Sequence, residues 1–195
     1  MKESIEFDDT VKKIIPIIIN FNPEKITLLL DIDNRFPNME AKRVQAEEFK
    51  LNSKSEFHLT IIGSNTWEKI KKSISLLEKS EREKILNKIY VLSESIKWNI
   101  TLQNNFFYIE KEYAEEDPNN QGSLIYEKRK SIIQMAEING LKNFYRQLNV
   151  LLWEWFDEPL PHITLYTTST RENKRLRGIG IYSQKQLEEL SPQKI

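Results

Sequence analysis

The stretches FHLTII (57–62) and PHITLY (161–166) contain the only two histidines of this 195-residue chain. In both stretches one aliphatic residue and then a threonine follow the histidine. Residues i and i+2 of a β-strand point to the same face of the sheet. His58 and Thr60 are therefore predicted to share one face of a strand, with the apolar residues of that stretch on the other.

The second stretch has the same alternation. His162, Thr164 and Tyr166 are predicted to share a face, and Ile163 and Leu165 lie opposite. Each apolar set can enter a hydrophobic core. An imidazole and a hydroxyl would then lie side by side on the open face of each strand.

The overall composition limits the classes of partner. The chain has 29 Lys and Arg against 29 Asp and Glu, so its formal net charge is zero. A protein that binds long double-stranded nucleic acid without sequence preference relies on a basic surface, which this balance disfavours. The zero net charge is compatible with a nucleotide or a short RNA-type substrate that is held by a local cluster of basic residues. The absence of cysteine excludes disulfides, thiol chemistry and zinc–thiolate sites.

The first residues lack the features of a targeting segment. MKESIEFDDTVKK (1–13) is mixed in charge, unlike a signal peptide. The apolar run IIPIII (14–19) is too short to span a bilayer. We therefore expect a cytoplasmic protein without a membrane partner, in which residues 1–24 form an N-terminal extension.

The remaining apolar patterns predict an α+β protein. Periodicity near 3.6 residues predicts one or two helices over 64–96, and further helices over 38–51, 139–155 and after an N-cap at Ser183. Strands are predicted at 25–33, at the two histidine stretches and at 178–182. Two more strands, 97–103 and 105–113, are predicted around a tight turn at Asn104–Asn105. Residues 114–122 are predicted as a loop, and 128–138 are ambiguous between strand and helix.

A buried segment, a helix and a histidine-containing strand occur twice in this order, which indicates a weak internal duplication. Two related lobes that faced each other would bring the open faces of the two histidine strands together across a cleft. The two histidine frames would then form one site.

Two histidines that flank a phosphodiester could perform acid–base catalysis without a metal. The unperturbed pKa of histidine, near 6.5, allows either role at neutral pH. The neutral imidazole takes a proton from the attacking water or ribose hydroxyl, and the protonated one donates to the leaving oxygen, each worth roughly 10²–10⁴-fold in rate. The threonine hydroxyls can donate hydrogen bonds to non-bridging phosphate oxygens. The sequence does not fix which histidine is the acid.

These paired frames resemble the two-histidine phosphoesterases, the LigT-like group. The resemblance implies a single bilobal α+β domain over 1–195, in which two pseudo-symmetric lobes with antiparallel sheets face a central cleft and helices lie outside. It also implies metal- and cofactor-independent chemistry on 2′,3′-cyclic, 2′–5′-linked or cyclic oligonucleotide phosphodiesters. His58, Thr60, His162 and Thr164 match the family's catalytic positions one for one.

Several other residues are candidates for contact with the substrate. Tyr166 could stack on a base or bind a phosphate, and Arg129 and Lys130 precede a segment that the internal repeat places beside the site. Arg175 lies in the basic loop 171–177, which could gather a polyanionic substrate, although a solvated loop is the commoner use of such a charge run.

Two further features of the sequence are given no role in the site. WEWF (153–156) could offer base-stacking aromatics, but at the end of an amphipathic helix packing is favoured. Thr27 lies outside either histidine frame and is assigned no function.

Metal binding is disfavoured, because two distant histidines without cysteine or a clear carboxylate partner make a poor ligand set.

Three functions stay open at this point. The first is a phosphodiesterase that acts on small nucleotides, and the second is an RNA end-processing or 2′–5′ RNA ligase-like enzyme that acts on tRNA-sized RNA. The third is a binding module that holds a nucleotide without turnover. Either histidine alone would be interpreted as a partly buried residue bonded to its threonine, but the matched pair favours catalysis. The oligomeric state is left open.

Overall fold

Two antiparallel sheets organise the computed structural model, which describes residues 17–22, 24, 27–117, 120, 122–174 and 176–195. The strands are β1 (Ile17–Asn22), β2 (Thr27–Ile32), β3 (Asn52–Ser53), β4 (Phe57–Ile62), β5 (Asn99–Glu116), β6 (Leu124–Asn139), β7 (His162–Ser169) and β8 (Gln193–Lys194). The helices are α1 (Arg43–Glu48), α2 (Ser64–Ile74), α3 (Lys79–Ser95), α4 (Leu141–Leu152) and α5 (Gln184–Glu189), with short 3₁₀ helices at Glu40–Lys42 and Glu172–Lys174.

The smaller sheet has the strand order β1-β2-β4, and the larger sheet has the order β3-β7-β6-β5-β8. All pairings are antiparallel, which confirms the predicted α+β class. Strand β4 forms one edge of the smaller sheet and contacts β7 of the larger sheet. The two histidine strands are therefore neighbours in space.

The same order of elements occurs in both sheets. A hairpin (β1–β2) is followed by a helix (α1) and by the histidine strand β4, which pairs with the second strand of the hairpin. In the larger sheet β5–β6, α4 and β7 repeat this order and pairing. The topology therefore carries the repeat that the sequence order predicts.

The main hydrophobic core lies under the smaller sheet and extends to the larger one. Alternation along β2 and β4 buries Leu28, Leu30, Leu59 and Ile61 completely. Each such side chain contributes about 1.5–3 kcal/mol by its removal from water. The Tyr145 hydroxyl of α4 donates a hydrogen bond to the Ile61 carbonyl at 2.7 Å, so that α4 is fixed against β4.

A second, smaller core lies on the larger sheet. Ile109 and Ile133 pack there against Ile179, Ile181 and Leu187. The chain after β7 therefore folds back over this sheet. The predicted N-cap is confirmed, since the Ser183 hydroxyl accepts a hydrogen bond from the Gln186 amide at the start of α5.

The helical predictions are confirmed, two predictions about the strands are wrong, and one ambiguous segment is resolved. Asn104–Asn105 is not a turn, because β5 is continuous and carries a bulge between Leu102 and Phe106. The ambiguous segment 128–138 lies in strand β6, where both neighbouring strands pair with it. Residues 178–182 form an irregular segment rather than a strand. No described helix is both long enough and apolar enough to cross a membrane.

The predicted N-terminal extension, 1–24, also needs correction. Residues 17–22 of it form β1, which pairs with β2. Ile19 and Phe21 of this strand pack against the main core. The burial of these two side chains makes β1 part of the fold, and residues 1–16 lie outside the described part of the chain.

Candidate active site

A cavity of about 390 Å³ is lined by both histidine frames. His58 and Thr60 reach it from the smaller sheet, and His162 and Thr164 reach it from the larger sheet. Two pairs of residues that lie about a hundred positions apart in the sequence therefore face one cavity. The other residues that line the cavity come from β2, from the segments that flank the two histidine strands and from the chain after β7. They are Thr27, Leu29, Lys54, Glu56, Gly63, Ser64, Pro159, Leu160 and 176–182.

The smaller sheet presents its histidine frame on a regular open face. Asp31 of β2 lies opposite His58, and Leu29 lies opposite Thr60. Because directly opposed residues of an antiparallel pair point to the same face, these four side chains form one surface. Thr27 follows on the same strand and lines the cavity, although the sequence assigned it no function.

In the larger sheet a β-bulge interrupts the alternation of β7. Tyr166 lies opposite Ile132, and Thr164 lies opposite Ile133, so Leu165 is an extra residue. As a result the Tyr166 ring is buried in the main core, and its hydroxyl donates to the Met39 carbonyl at 3.0 Å. The expectation that Tyr166 shares the face of His162 and Thr164 is wrong.

The His162 ring is oriented by the backbone. Its Nδ1 lies 2.8 Å from the Leu160 carbonyl, which can only accept a hydrogen bond, so Nδ1 carries the proton. In the neutral ring Nε2 is then the proton acceptor. Burial lowers the pKa of His162, the carbonyls of Leu160 and Ile179 oppose this shift, and the charge of His58 adds to the lowering.

His58 has a different electrostatic environment. Burial is the main cause that lowers its pKa, and the Lys54 ammonium lowers it further. The carboxylates of Asp31 and Glu56 act in the opposite direction. Each imidazole in the unliganded protein therefore holds a proton less strongly than a free histidine does, because its pKa is lowered.

Residues 176–182, here called the strap, close one side of the cavity. Three successive strap carbonyls each accept a hydrogen bond from a side chain elsewhere in the fold. The bonds are Lys54 Nζ to Leu176 at 3.1 Å, Thr167 Oγ1 to Arg177 at 2.9 Å and Arg129 Nη1 to Gly178 at 3.4 Å. Polar contacts therefore hold the strap to β6, to β7 and to the segment that follows β3.

Arg129 and Lys130 lie elsewhere than the sequence suggested. Arg129 is buried, makes a two-pronged ion pair with Glu127 at 2.5 and 2.9 Å and covers the Tyr113 ring at 4.2 Å. Lys130 Nζ lies 3.4 Å from a Glu110 carboxylate oxygen. Neither residue lines the cavity, and Arg129 supports the strap instead. Arg175 lies outside the described residues.

Gly178 allows the strap to approach Thr164 closely. A Cβ atom at this position would lie 2.9 Å from Thr164 Oγ1 and 3.4 Å from its Cγ2. Real Cβ atoms do not approach an oxygen this closely without displacement of one of the two groups. The glycine therefore sets the position of the threonine hydroxyl in the cavity.

The Gly178→Ala variant is expected to lower turnover of the site's substrate about 10- to 100-fold, because the Thr164 hydroxyl must move. The melting temperature should change little, since Gly178 is only partly buried and lies outside the second core, which the strap enters through Ile179 and Ile181. Steady-state kinetics and thermal unfolding measure the two effects. Wild-type turnover in Gly178→Ala would refute this role.

A hydroxyl pair that the sequence did not predict lies beside the first histidine strand. Ser64 Oγ lies 2.8 Å from the Tyr182 hydroxyl, and both residues line the cavity. Ser64 begins α2 directly after Gly63, and no side chain caps this helix. Gly63 and Ser64 both line the cavity, so the N-terminal end of α2 lies at its wall, and a helix N-terminus favours a nearby anion. The sequence signal for this part of the site was Gly63–Ser64, which joins the first histidine strand to the predicted helix.

The aromatic stretch 153–156 divides into two environments. Phe156 is buried in the core, as the packing interpretation predicted. Trp153 and Trp155 are 94% and 73% exposed, so that interpretation is wrong for them. Neither tryptophan lines the cavity.

Comparisons of this chain with models of protein families, with curated proteins and with solved structures give no match. Within the described ranges, no group of three or more His, Asp or Glu side chains is placed to hold a metal ion. The interpretation of the site therefore depends on its own residues.

Proposed function

We propose that this protein is a metal-independent phosphodiesterase of the two-histidine type, with an RNA-type phosphodiester as substrate. The observation that carries the proposal is that His58, Thr60, His162 and Thr164 line one cavity. The repeated order of elements in the two sheets supports a bilobal arrangement in which each lobe supplies one histidine frame.

In the proposed reaction, His58 is the general base and His162 the general acid. Neutral His58 takes a proton from the attacking water or ribose hydroxyl, and the oxygen forms a bond to phosphorus. Protonated His162 donates a proton to the leaving ribose oxygen as its bond to phosphorus breaks. The Leu160 carbonyl stabilises the His162 imidazolium, whereas at His58 the Lys54 ammonium and the carboxylates of Asp31 and Glu56 act in opposite directions.

Hydrogen-bond donors around the cavity would hold the phosphate. The hydroxyls of Thr60 and Thr164 and the first N–H groups of α2 can donate to non-bridging oxygens. Lys54 and Arg177 add positive charge to the lining, which Glu56 partly offsets. A substrate with one or two phosphate charges fits this balance better than a long polyanion.

The pH dependence of kcat/KM follows from the two lowered pKa values. The reaction needs one neutral and one protonated imidazole, so its rate is largest between the two pKa values of the free enzyme. Because burial lowers both pKa values below 6.5, the optimum of kcat/KM should lie below pH 6.5. A profile from pH 4.5 to 8.5 measures it, and an optimum above pH 7 would contradict the proposal.

The substrate class can be found with a panel assayed in EDTA. The panel contains 2′,3′-cyclic nucleotides, 2′–5′ oligoadenylates and cyclic di- and trinucleotides. Turnover of any one class by wild type, lost in His58→Ala and in His162→Ala, is the expected result. Tight binding without turnover that survives both substitutions would point instead to a nucleotide-binding module.

A further inference from the structure

The open face of the smaller sheet continues past the cavity onto β1. Asn20 of β1 lies directly opposite Leu29 of β2, and Leu29 lies directly opposite Thr60 of β4. Directly opposed residues share a face, so the three side chains form one row across the sheet. Leu29 and Thr60 line the cavity, and Asn20 extends the row beyond it.

The exposure of β1 agrees with this row. Asn20 and Ile18 are exposed, whereas Ile19 and Phe21 on the other face pack against the core. Neighbouring strands lie about 4.8 Å apart, so Asn20 lies about 10 Å from Thr60 across two strand spacings. That span is close to the distance from a nucleotide's phosphate to the far edge of its base.

We propose that Asn20 reads the edge of the substrate's nucleobase while the phosphate lies between the two histidines. The inference depends on the proposed function, and it adds that the substrate is a nucleotide whose base is recognised. The base would lie over Leu29, whose half-buried apolar side chain provides a floor for it.

The chemistry of Asn20 favours adenine. An asparagine amide presents a donor beside an acceptor, which matches the N6 donor and N7 acceptor on the major-groove edge of adenine, whereas the same edge of guanine presents two acceptors, N7 and O6. Asn22 lies two residues further along β1, opposite Thr27, and its Oδ1 accepts a hydrogen bond from the Glu24 amide at 3.0 Å. Asn20, which lies in the row with Leu29 and Thr60, is therefore the residue assigned to the base.

Binding measurements test this assignment without relying on turnover. The probes are 2′-AMP, 2′-GMP and the 2′-phosphate of methyl riboside, which lacks a base, each titrated calorimetrically. Wild type should bind 2′-AMP more tightly than 2′-GMP. Asn20→Ala should weaken binding of 2′-AMP about 5- to 30-fold and leave the base-free probe unchanged. Asn20→Asp should shift the preference toward 2′-GMP, since a carboxylate accepts from the N1–H and N2–H groups of guanine.

Asn104→Ala, at an exposed position in the bulge of β5, is the matched control and should bind all three probes as wild type does. Equal affinity of wild type for the two nucleotides would overturn the assignment. So would 2′-AMP affinity within twofold of wild type in Asn20→Ala, or an equal loss for the base-free probe. If the predicted affinities are found but the EDTA panel shows no turnover, the proposed catalysis fails and the base contact stands.

Discussion

His58→Ala and His162→Ala are each expected to lower kcat about 10²–10⁴-fold on the substrate that the EDTA panel identifies. Each substitution removes one of the two proton-transfer groups, and the other lining residues cannot replace it. His58 removes the proton from the nucleophile, and His162 protonates the leaving oxygen. Single-turnover rates with saturating enzyme measure the chemical step directly.

The same variants should fold normally. Both histidines lie on the open faces of their strands and are only partly buried, so alanine leaves no cavity in the hydrophobic core. Their melting temperatures should stay within a few degrees of wild type. Asn104→Ala again provides a control, with unchanged rate and stability. A loss of less than tenfold in either histidine variant, with normal folding, would contradict the assigned roles.

Arg129→Met is expected to lower the free energy of unfolding by about 3–5 kcal/mol. Glu127 is 1% exposed, and its carboxylate is bonded by the buried guanidinium of Arg129 through two nitrogens. Removal of that guanidinium leaves the buried Glu127 carboxylate without its two-pronged ion pair, and the Ser169 hydroxyl bonded to Glu127 carries no charge to replace it. Urea denaturation followed by circular dichroism measures the change.

The double variant Glu127→Gln/Arg129→Met is the matched control for this ion pair. It removes both charges, so it should regain much of the stability that Arg129→Met loses. It should still show reduced turnover, because the Arg129 contact with the Gly178 carbonyl of the strap is absent in both variants. A destabilisation below about 1 kcal/mol in Arg129→Met would show that the carboxylate is not held as a buried charge.

The alternation of residues in the sequence predicted the first histidine frame well, because β4 pairs with β2 in register at both His58 and Thr60. The same alternation failed at Tyr166. The bulge at Leu165 depends on how β7 pairs with β6, which lies more than twenty residues earlier in the chain. Local periodicity carries no information about such a pairing.

The sequence also could not assign the partner of Arg129. The internal repeat placed the segment after Arg129 beside the site and so suggested a phosphate contact, but Glu127 lies two residues earlier on the same strand and so on the same face. This spacing was the available signal for an ion pair. Gly178 and Tyr182 belong to the site only because the strap folds back over the larger sheet. The position of the strap over the sheet depends on packing between residues that are far apart in the sequence.

The central claim is that His58 and His162 act on one phosphorus atom, and a double-mutant cycle tests it most directly. The rates of wild type, His58→Ala, His162→Ala and the double variant are compared in EDTA on one substrate. Groups that act as a unit show non-additive losses, so the double variant should be no more than a few times slower than the slower single variant. Losses that multiply, or full activity in either single variant, would show that the two histidines do not share one reaction.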